Sequence, residues 1–321
     1  MTSAPAPILR RALLYVPGSS KRMMERARGL DVDCVTFDLE DAVTATEKPT
    51  ARHIIKDALN LPRPRGVREI GVRINAVGSG LALEDLGVVL QGKNLDTIVV
   101  PKVESAGDLT FVSNVLDHSN HPKRSSVKIL GPSPCPSNTP KALLESARSI
   151  IDIRQISGST PRLSGLIFAA EDFAKDLSIT RTPSLTEFLL ARQTIAMAAR
   201  AYSIPSAIDL VCTSYRDVAV LERECLDGVG MGFNGKQVIH PSQVDVVQRL
   251  FLPGEEQVRV AVRVLVAEEV AQAEGRGSWG LDGRMVDRPV VEAARRIVGK
   301  MEAAGVDISG VWEAEKETKP E

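Results

Sequence analysis

The sequence predicts an α/β protein, a (β/α)8 TIM barrel with a C-terminal helical extension. Eight short apolar runs rich in Val, Ile and Leu recur along residues 1–252, as expected of parallel strands that are buried on both faces. Helical patterns separate most of these runs, and strands that alternate with helices favour a parallel barrel. No Gly-x-Gly-x-x-Gly turn follows any run, which argues against a dinucleotide-binding sheet.

Turn or polar residues bound each of the eight predicted strands. The strands are Ala12–Val16, Cys34–Phe37, Gly71–Ile74, Thr97–Val100, Ala142–Leu144, Leu166–Ala169, Ala207–Val211 and Gly228–Met231. Apolar residues recur with helical spacing over 20–30, 46–60 and 185–202, which predicts three helices after the first, second and sixth strands. The segment 130–141 is rich in Pro and Ser and predicts a loop.

The chain divides into a barrel and an extension. Residues 1–252 form the predicted TIM-barrel catalytic domain, and residues 253–305 form the helical extension that carries Asp287. Two helical patterns, at 254–275 and 289–305, flank a Gly-rich loop in this extension. Residues 306–321 are predicted to be a disordered tail, because the last segment, EAEKETKPE, is almost entirely charged or polar.

Composition argues against several classes of protein. The 321 residues are 43% hydrophobic and 25% charged with a net charge of −1, which gives no electrostatic footprint for nucleic acid or an anionic membrane. No apolar run approaches the ~18 residues of a membrane span. The four cysteines form no C-x-x-C pair, so we expect reduced, buried thiols and a cytoplasmic protein. The stretch before Arg10 is short for a transit peptide, and a mitochondrial location is the alternative.

Charged residues stand at the carboxyl end of nearly every predicted strand, where barrels of this fold carry their active sites. Glu145 and Asp172 each follow a buried strand, and two carboxylates that converge there can hold one hard cation. Because no Cys or His lies beside them, the pair favours Mg2+, with Mn2+ as the alternative, over zinc. A 2-oxo acid could chelate the open positions of such a cation.

Two roles are open for Arg73, at the end of the third predicted strand. Its guanidinium can bind a substrate carboxylate or a developing enolate oxygen, it can form a salt bridge with Asp38 or Glu40, or it can do both. The neighbouring acids predict either a second cation site or a structural network with nearby bases. These acids are Asp38, Glu40 and Asp41, and the bases are Arg73, Lys48 and Arg52.

Two further features have a functional and a structural interpretation. His240 precedes a proline at a strand-to-helix turn, where a histidine is either catalytic or fixes the loop. A Gly-Ser turn opens a helix that carries Lys21, Arg22 and Arg26. Such helix starts bind phosphate groups readily, although an ordinary solvated basic face has the same sequence pattern.

Seven motifs run in order from about Arg10 to the helix after Phe251. They are RRALLYVPGSSKRMMERA, VTFDLEDAV, VRIN, VVPKVES, ALLESARSI, AAEDF and GFNGKQVIHPSQ. Together these motifs resemble the citrate lyase β-subunit-like proteins of the HpcH/HpaI aldolase group. The C-terminal segment GSWGLDGRMVDRPVVEAARRIV resembles the branch that acts on citramalyl-CoA and malyl-CoA.

The resemblance implies a Mg2+-dependent lyase that cleaves citramalyl-CoA or malyl-CoA to acetyl-CoA and a 2-oxo acid, with coenzyme A as part of the substrate. It implies Glu145 and Asp172 as metal ligands, and Arg73 and Asp287 as catalytic residues. Asp287 would be an acid/base supplied by a neighbouring subunit of a homotrimer, although its place ahead of a proline also suits a helix N-cap. The implied substrate- and CoA-binding residues are Tyr15, Arg22, Arg26, Arg73, Glu145, Gln237 and Val238.

Other functions remain open from the sequence. They are an added malate synthase activity, a Mg2+-dependent aldolase on free 2-oxo acids, a citrate lyase β-type subunit of a larger complex, and a non-catalytic scaffold. Some positions depart from the family pattern, because Ala169 and Ala170 replace glycine, and Cys212 and Ser214 replace aromatic and acidic residues. These substitutions bear on the size and selectivity of the site.

Overall fold

The computed structural model describes residues 9–120 and 139–321, and these form two compact units. One unit spans Arg10–Phe251, and the other contains Leu9 and Leu252–Glu321. The division between Phe251 and Leu252 lies beside the domain boundary predicted from the sequence.

The first unit is a closed barrel of eight parallel strands, which confirms the predicted fold class. Each strand pairs with the next in chain order, and the eighth pairs with the first. The strands are β1 (Ala12–Pro17), β2 (Val32–Asp38), β3 (Val67–Arg73), β4 (Thr97–Val100), β5 (Thr139–Leu144), β6 (Gly165–Phe168), β7 (Ser206–Asp209) and β8 (Gly235–Val238).

Ten helices of the described residues accompany these strands. They are α1 (Lys21–Arg28), α2 (Lys48–Asn60), α3 (Ala82–Val89), α4 (Ala106–His118), α5 (Ala147–Ile151), α6 (Ile153–Ser157), α7 (Ala170–Leu177), α8 (Leu189–Ala201), α9 (Val218–Gly230) and α10 (Val244–Leu250). The helices predicted at 20–30, 46–60 and 185–202 correspond to α1, α2 and α8. α1 begins where the Ser20 side chain accepts a hydrogen bond from the N–H of Met23 (3.3 Å).

The eighth strand was predicted in the wrong place, at Gly228–Met231. These residues end α9, and Gly228 serves its packing, because an added Cβ would lie 2.6 Å from Oδ2 of Asp209. The true strand, β8, contains Lys236 and Gln237. Their polar side chains interrupt the apolar pattern that would predict a buried strand. Both side chains are buried, and the Lys236 ammonium lies 3.0 Å from the carboxylate of Glu224.

The barrel interior is a packed core with an ion cluster at its N-terminal end. Six side chains from different strands fill its middle, namely Leu13, Cys34, Val99, Leu143, Ile167 and Ile208. Below them, the buried Lys141 ammonium lies 2.7 Å from the carboxylate of Glu69, which also accepts two hydrogen bonds from Arg10 (2.8 and 2.9 Å). Burial opposes ionisation of Glu69, but Arg10 and Lys141 lower its pKa overall. Glu69 therefore stays ionised.

The predicted loop at 130–141 needs a correction at its end. Residues 139–141 belong to β5, where the half-buried Glu69 carboxylate satisfies the charge of the buried Lys141. Residues 130–138 lie outside the described residues, and Cys135 is among them. Of the other cysteines, Cys34, Cys212 and Cys225 are buried free thiols, as expected.

The second unit has its own apolar core. Its elements are α11 (Glu255–Ala273), β9 (Trp279–Leu281), β10 (Arg284–Val286), α12 (Arg288–Ala304) and α13 (Ser309–Glu315). The two long helices were predicted, whereas the Gly-rich loop between them contains the antiparallel hairpin β9–β10. None of the helices in the described parts of either unit is long and apolar enough to cross a membrane.

Residues 306–321 were expected to be disordered but contain α13. Ile308 is buried in the core of the second unit, and Trp312 packs against it. The carboxylate of Glu315 accepts a hydrogen bond from Arg263 (2.9 Å). The apolar residues at the start of this segment therefore outweigh the charged residues that follow them.

Candidate active site

The ends of β2 and β3 place an acid and a base side by side. Asp38 and Arg73 are register partners and the last residues of their strands. The guanidinium donates to the buried Asp38 carboxylate from Nε to Oδ1 (2.7 Å) and from Nη2 to Oδ2 (2.6 Å). This bidentate pair fixes the plane of the guanidinium. One of the two roles left open for Arg73, the salt bridge, is therefore present.

Glu40 is shared by two cations. Its Oε2 lies 3.0 Å from Nη1 of Arg73, in an ion pair rather than an aligned hydrogen bond, and its Oε1 contacts Nζ of Lys102. Burial raises the pKa of Glu40, against the opposing effect of these two cations. A guanidinium has five N–H donors, so an anionic ligand can bind Arg73 alongside the two carboxylates. Asp38 and Glu40 therefore form the predicted structural network with Arg73.

Lys48 and Arg52 do not pair with these acids as expected but support the surrounding loops. Lys48 Nζ donates to the carbonyl oxygen of Leu39 (2.7 Å) and to Oδ1 of Asn75 (2.6 Å). Asn75 in turn donates to Asp85 (2.7 Å), which accepts a further hydrogen bond from Nε of Arg52 (2.7 Å). These contacts fix the loops that follow β2 and β3, because they satisfy buried polar groups in both.

Tyr15 and Gln237 form a second wall of the site. The Arg73 guanidinium lies 4.8 Å from the centre of the Tyr15 ring, within cation–π range. The Tyr15 hydroxyl donates to Oε1 of Gln237 (3.2 Å), and Gln237 Nε2 donates to the carbonyl oxygen of Phe168 (2.8 Å). Burial raises the pKa of Tyr15, so its hydroxyl stays protonated. These bonds join β1, β6 and β8 at the barrel mouth.

Two carboxyl groups meet beyond β5 and β6, which are neighbours in the barrel. Glu145 follows β5 directly, and Asp172 lies in the first turn of α7. Their carboxyl groups interact with each other, and Glu145 Oε1 accepts the backbone N–H of Lys102. Burial, followed by Asp172, raises the pKa of Glu145 to about 8. Such a pair either shares a proton or binds a cation, so it suits a divalent metal ion.

The donor set of this pair is small. Within residues 9–120 and 139–321, no group of three or more His, Cys, Asp or Glu side chains is arranged to hold a metal ion. Mg2+ is commonly bound by one or two carboxylates and completes its shell with water and substrate oxygens. Structural zinc sites, in contrast, use four protein ligands. Glu145 and Asp172 therefore fit Mg2+ better than zinc.

The residues expected to contact coenzyme A adjoin Tyr15 in the fold. Arg22 and Arg26 are exposed and lie one turn apart on α1, the helix after β1. Gln237 and Val238 are buried in β8, which pairs with β1. The predicted positions therefore share the β8–β1–α1 sector of the barrel.

His240 fits the loop-fixing interpretation. Its Nδ1 lies 2.7 Å from the Ser242 hydroxyl and accepts the backbone N–H of Ser242 (3.2 Å). These contacts begin the short 3-10 helix Pro241–Gln243. The histidine therefore stabilises the turn after β8.

Asp287 belongs to the second unit and is half-buried. It is the N-cap of α12, and its carboxylate accepts the backbone N–H of Val290 (3.3 Å). The structural role expected from the following proline is therefore present. This cap fixes the carboxylate but leaves acceptor capacity on it.

Lys102 is the residue of this site for which the sequence predicted no role. It follows β4 and has a φ of +49°, in the left-handed region that residues with a side chain seldom adopt. Its ammonium contacts Glu40 and its N–H contacts Glu145. The sequence shows a lysine at a strand end, but no residue type there signals the backbone conformation that directs the N–H to Glu145.

Comparisons with known proteins agree with the resemblance seen in the sequence. The model of the family described as HpcH/HpaI aldolase/citrate lyase matches residues 11–241. Citramalyl-CoA lyase, mitochondrial, from Homo sapiens is 34% identical over 302 residues, which cover 91% of this chain and 85% of the relative. Citrate lyase subunit beta from Escherichia coli (strain K12) is 36% identical over 92% of this chain and 95% of its own length.

A solved structure extends this likeness to nearly the whole fold. CitE from Mycobacterium tuberculosis, in complex with magnesium, acetoacetate and coenzyme A, is 29% identical and has a TM-score of 0.69. The match covers 94% of this chain and 99% of that structure. The family model alone spans most of the barrel, and the chain therefore belongs to the HpcH/HpaI aldolase/citrate lyase family.

Proposed function

We propose that the protein is a Mg2+-dependent carbon–carbon lyase that cleaves citramalyl-CoA, or malyl-CoA, into acetyl-CoA and a 2-oxo acid. The observation that carries this proposal is the interacting carboxyl pair Glu145–Asp172 in a barrel of this family. The relatives named citramalyl-CoA lyase and citrate lyase subunit beta support lyase chemistry on CoA thioesters. The substrate that we propose first is (3S)-citramalyl-CoA, whose 2-oxo acid product is pyruvate.

Glu145 and Asp172 would hold the Mg2+ ion, with Mn2+ as the alternative because it accepts the same oxygen ligands. Bound Mg2+ supplies a Lewis acid for the carboxylate and the adjacent oxygen of the acid portion. The proton that the free pair favours must leave when a cation binds. The backbone N–H of Lys102 would hold Glu145 in one orientation as this happens.

Arg73 and Asp287 would have separate roles in the cleavage. The hydroxyl group of the acid portion gives its proton to solvent water and becomes the carbonyl group of the 2-oxo acid. The electrons of the broken C–C bond pass to the thioester enolate of acetyl-CoA. Arg73, held rigidly by Asp38, would donate to the oxygen whose charge changes. Asp287 would protonate the enolate carbon, and in condensation it would remove that proton from the acetyl methyl group.

We infer that Asp287 acts across a subunit interface of a homotrimer. Complementation tests this role: Asp172→Asn and Asp287→Asn, each inactive alone, are co-expressed with different tags, and mixed oligomers are isolated. If neighbours complete each other's sites, about one third of the sites in the isolated mixed trimers contain both intact residues. Activity of the mixed oligomers no higher than that of either variant would contradict a shared site.

The coenzyme A portion would bind along the β8–β1–α1 sector. Arg22 and Arg26 would pair with its phosphate groups, while Tyr15, Gln237 and Val238 would line the path of the thioester. Contacts far from the reacting carbon hold that carbon in place and so contribute to the rate. A substrate without the nucleotide portion is therefore expected to react more slowly.

Other functions would use the same barrel differently. An aldolase on free 2-oxo acids would need the metal pair but not the thioester, and hydrolysis of the thioester after condensation would make the protein a malate synthase. A citrate lyase β-type subunit, as the Escherichia coli relative is named, would act only with partner subunits. Assays of the protein alone, with the thioester and with the free acid, separate these functions.

The decisive experiment is an assay of the protein with citramalyl-CoA and Mg2+. We expect acetyl-CoA and pyruvate, and we expect both to be lost with EDTA and in Asp287→Ala. Activity on malyl-CoA instead would change the substrate but keep the chemistry. No turnover of either thioester, together with turnover of a free acid, would overturn the CoA assignment.

We propose the cytoplasm as the compartment, with the mitochondrion as the alternative because the human relative is named a mitochondrial protein. Fractionation of the native cells with an antibody to this chain would distinguish the two. Recovery with a matrix marker would support the alternative.

A further inference from the structure

Lys102 connects the two groups of residues assigned to the reaction. Its ammonium contacts Oε1 of Glu40, whose other oxygen lies 3.0 Å from Nη1 of Arg73. Its backbone N–H donates to Oε1 of Glu145, whose carboxyl group interacts with that of Asp172. A continuous chain of charge-assisted contacts therefore runs from the guanidinium to the carboxyl pair.

The backbone of Lys102 is held by its surroundings rather than by its own preference. Its φ of +49° is unfavourable for a residue with a side chain. The next residue, Val103, is buried and donates to the carbonyl oxygen of Leu143 on β5 (3.4 Å). This bond anchors the turn on one side, and the ammonium contact with Glu40 anchors it on the other. The N–H of Lys102 is directed at Glu145 only while this turn is kept.

The charges around the ammonium make its contact with Glu40 strong. The Lys102 side chain is 43% exposed, but its Nζ also lies 3.7 Å from the carboxylate of Asp41. Glu40 itself is buried, so its charge needs a partner. Without the ammonium, Glu40 would depend on Arg73 alone, and the turn at Lys102 would lose its side-chain anchor.

We propose that Lys102 is a positioning residue: its ammonium, anchored on Glu40, holds the N–H that orients Glu145 for the metal ion. This inference rests on the proposed function of Glu145 and Asp172 as metal ligands. It also implies that Glu40 helps to position Glu145, and that it does so through Lys102. Partners of this kind, one step beyond the ligands, orient them and tune their affinity.

Metal affinity distinguishes positioning from simple electrostatics, because the two predict opposite signs. Removal of a positive charge near a cation site should tighten metal binding. Loss of a positioning contact should weaken it, by roughly 10- to 100-fold for residues that support metal ligands. We therefore expect Lys102→Met to bind Mn2+ or Mg2+ at least about 10-fold more weakly than the wild type.

The experiment is a titration of the full-length, EDTA-treated protein with Mn2+, followed by electron paramagnetic resonance, with Mg2+ as competitor. Lys102→Arg keeps the charge and should retain most of the affinity. Lys102→Gly keeps the N–H and adopts the left-handed backbone without strain, yet it should lose affinity as Lys102→Met does. Lys175→Met is the matched control, because Lys175 is exposed on α7 three residues after Asp172. Its affinity should stay equal or rise.

A double-mutant cycle tests whether the effect passes through Glu40. Glu40→Gln should weaken metal binding, and Lys102→Met should add little in that background, because the two residues act as one unit. Affinity in Lys102→Met equal to or tighter than the wild type would overturn the inference, as would additive losses or full affinity in Lys102→Gly. A wild-type protein that binds neither Mn2+ nor Mg2+ would overturn the metal assignment as well.

Discussion

The carboxyl groups of Glu145 and Asp172 interact with each other at the barrel mouth, although the two residues follow different strands. Both are acids, so this contact requires a proton between them or a cation beside them. Glu145 is 5% exposed, and water can do little to relieve the repulsion of two ionised groups. The pair therefore responds to pH and to metal ions in a linked way.

We predict that the metal-free protein loses stability as pH rises. The pKa of Glu145 is about 8 in the folded protein, against an ordinary value of 4.5. An acid with a raised pKa in the folded state contributes stability that is complete below its unfolded pKa and is lost as pH rises through the folded pKa. The free energy of unfolding should fall across this window with a slope of at most about 1.4 kcal/mol per pH unit. Thermal unfolding of the EDTA-treated protein at several pH values measures it.

Glu145→Gln is the matched variant for this prediction, because it keeps the side-chain size but cannot titrate. Its melting temperature should fall less than that of the wild type over the same pH range. Saturating Mg2+ should remove the decrease in the wild type, since a bound cation favours the ionised pair. Identical pH profiles for the two EDTA-treated proteins would contradict the assignment of the raised pKa to Glu145.

We predict that Arg73→Lys is folded but slow. Lysine keeps the positive charge but cannot make the two parallel hydrogen bonds to Asp38 and also reach Glu40. If the guanidinium stabilises charge that develops during bond cleavage, kcat should fall by about 10²-fold or more with little change in KM. Steady-state kinetics with citramalyl-CoA provide both constants. Arg249→Lys is the control, because Arg249 forms an exposed surface ion pair with Glu222. A raised KM with unchanged kcat in Arg73→Lys would indicate that Arg73 contributes to ground-state binding instead.

Much of the barrel could be predicted because its strands are apolar and its helices amphipathic. The exception, β8, is instructive: Lys236 is buried but paired with Glu224, and an ion pair between distant residues leaves no trace in a local pattern. Lys141 was assigned to a loop for the same reason, because its partner Glu69 lies on another strand. The helix α13 was missed because charged residues dominate the composition of its segment.

The candidate site divides in the same way between local and tertiary information. Glu145, Asp172 and Arg73 could be proposed from their places at strand ends, where this fold carries its chemistry. Their hydrogen bonds depend on register and side-chain conformation, which the sequence does not encode locally. The left-handed backbone of Lys102 is the clearest case. It exists because contacts from Glu40 and Glu145 outweigh the preference of the residue itself.

We predict that Arg22→Ala and Arg26→Ala weaken binding of CoA thioesters without slowing the chemical step. Each exposed guanidinium would lose a contact with a phosphate group, so KM should rise on the order of 10-fold with kcat nearly unchanged. The rise should shrink at high salt and should be absent for a pantetheine thioester. Arg28→Ala is the matched control on the same helix, because its guanidinium is bound to the carbonyl oxygen of Pro62 (2.8 Å). Equal effects of all three variants would indicate only a change in the charge of α1.

We predict that the two roles of Asp287 can be separated. Its carboxylate caps α12 through the N–H of Val290, and asparagine caps helices about as well as aspartate. Asp287→Asn should therefore keep the melting temperature of the wild type but lose about 10²-fold or more in kcat, because an amide cannot transfer the proton. Asp287→Ala should lose the same activity and also about 1 kcal/mol of stability from the missing cap. Exchange of the acetyl-CoA methyl protons in D2O, followed by NMR, reports the proton transfer alone. Wild-type exchange rates in Asp287→Asn would assign the acid/base role to another residue and leave Asp287 as a helix cap.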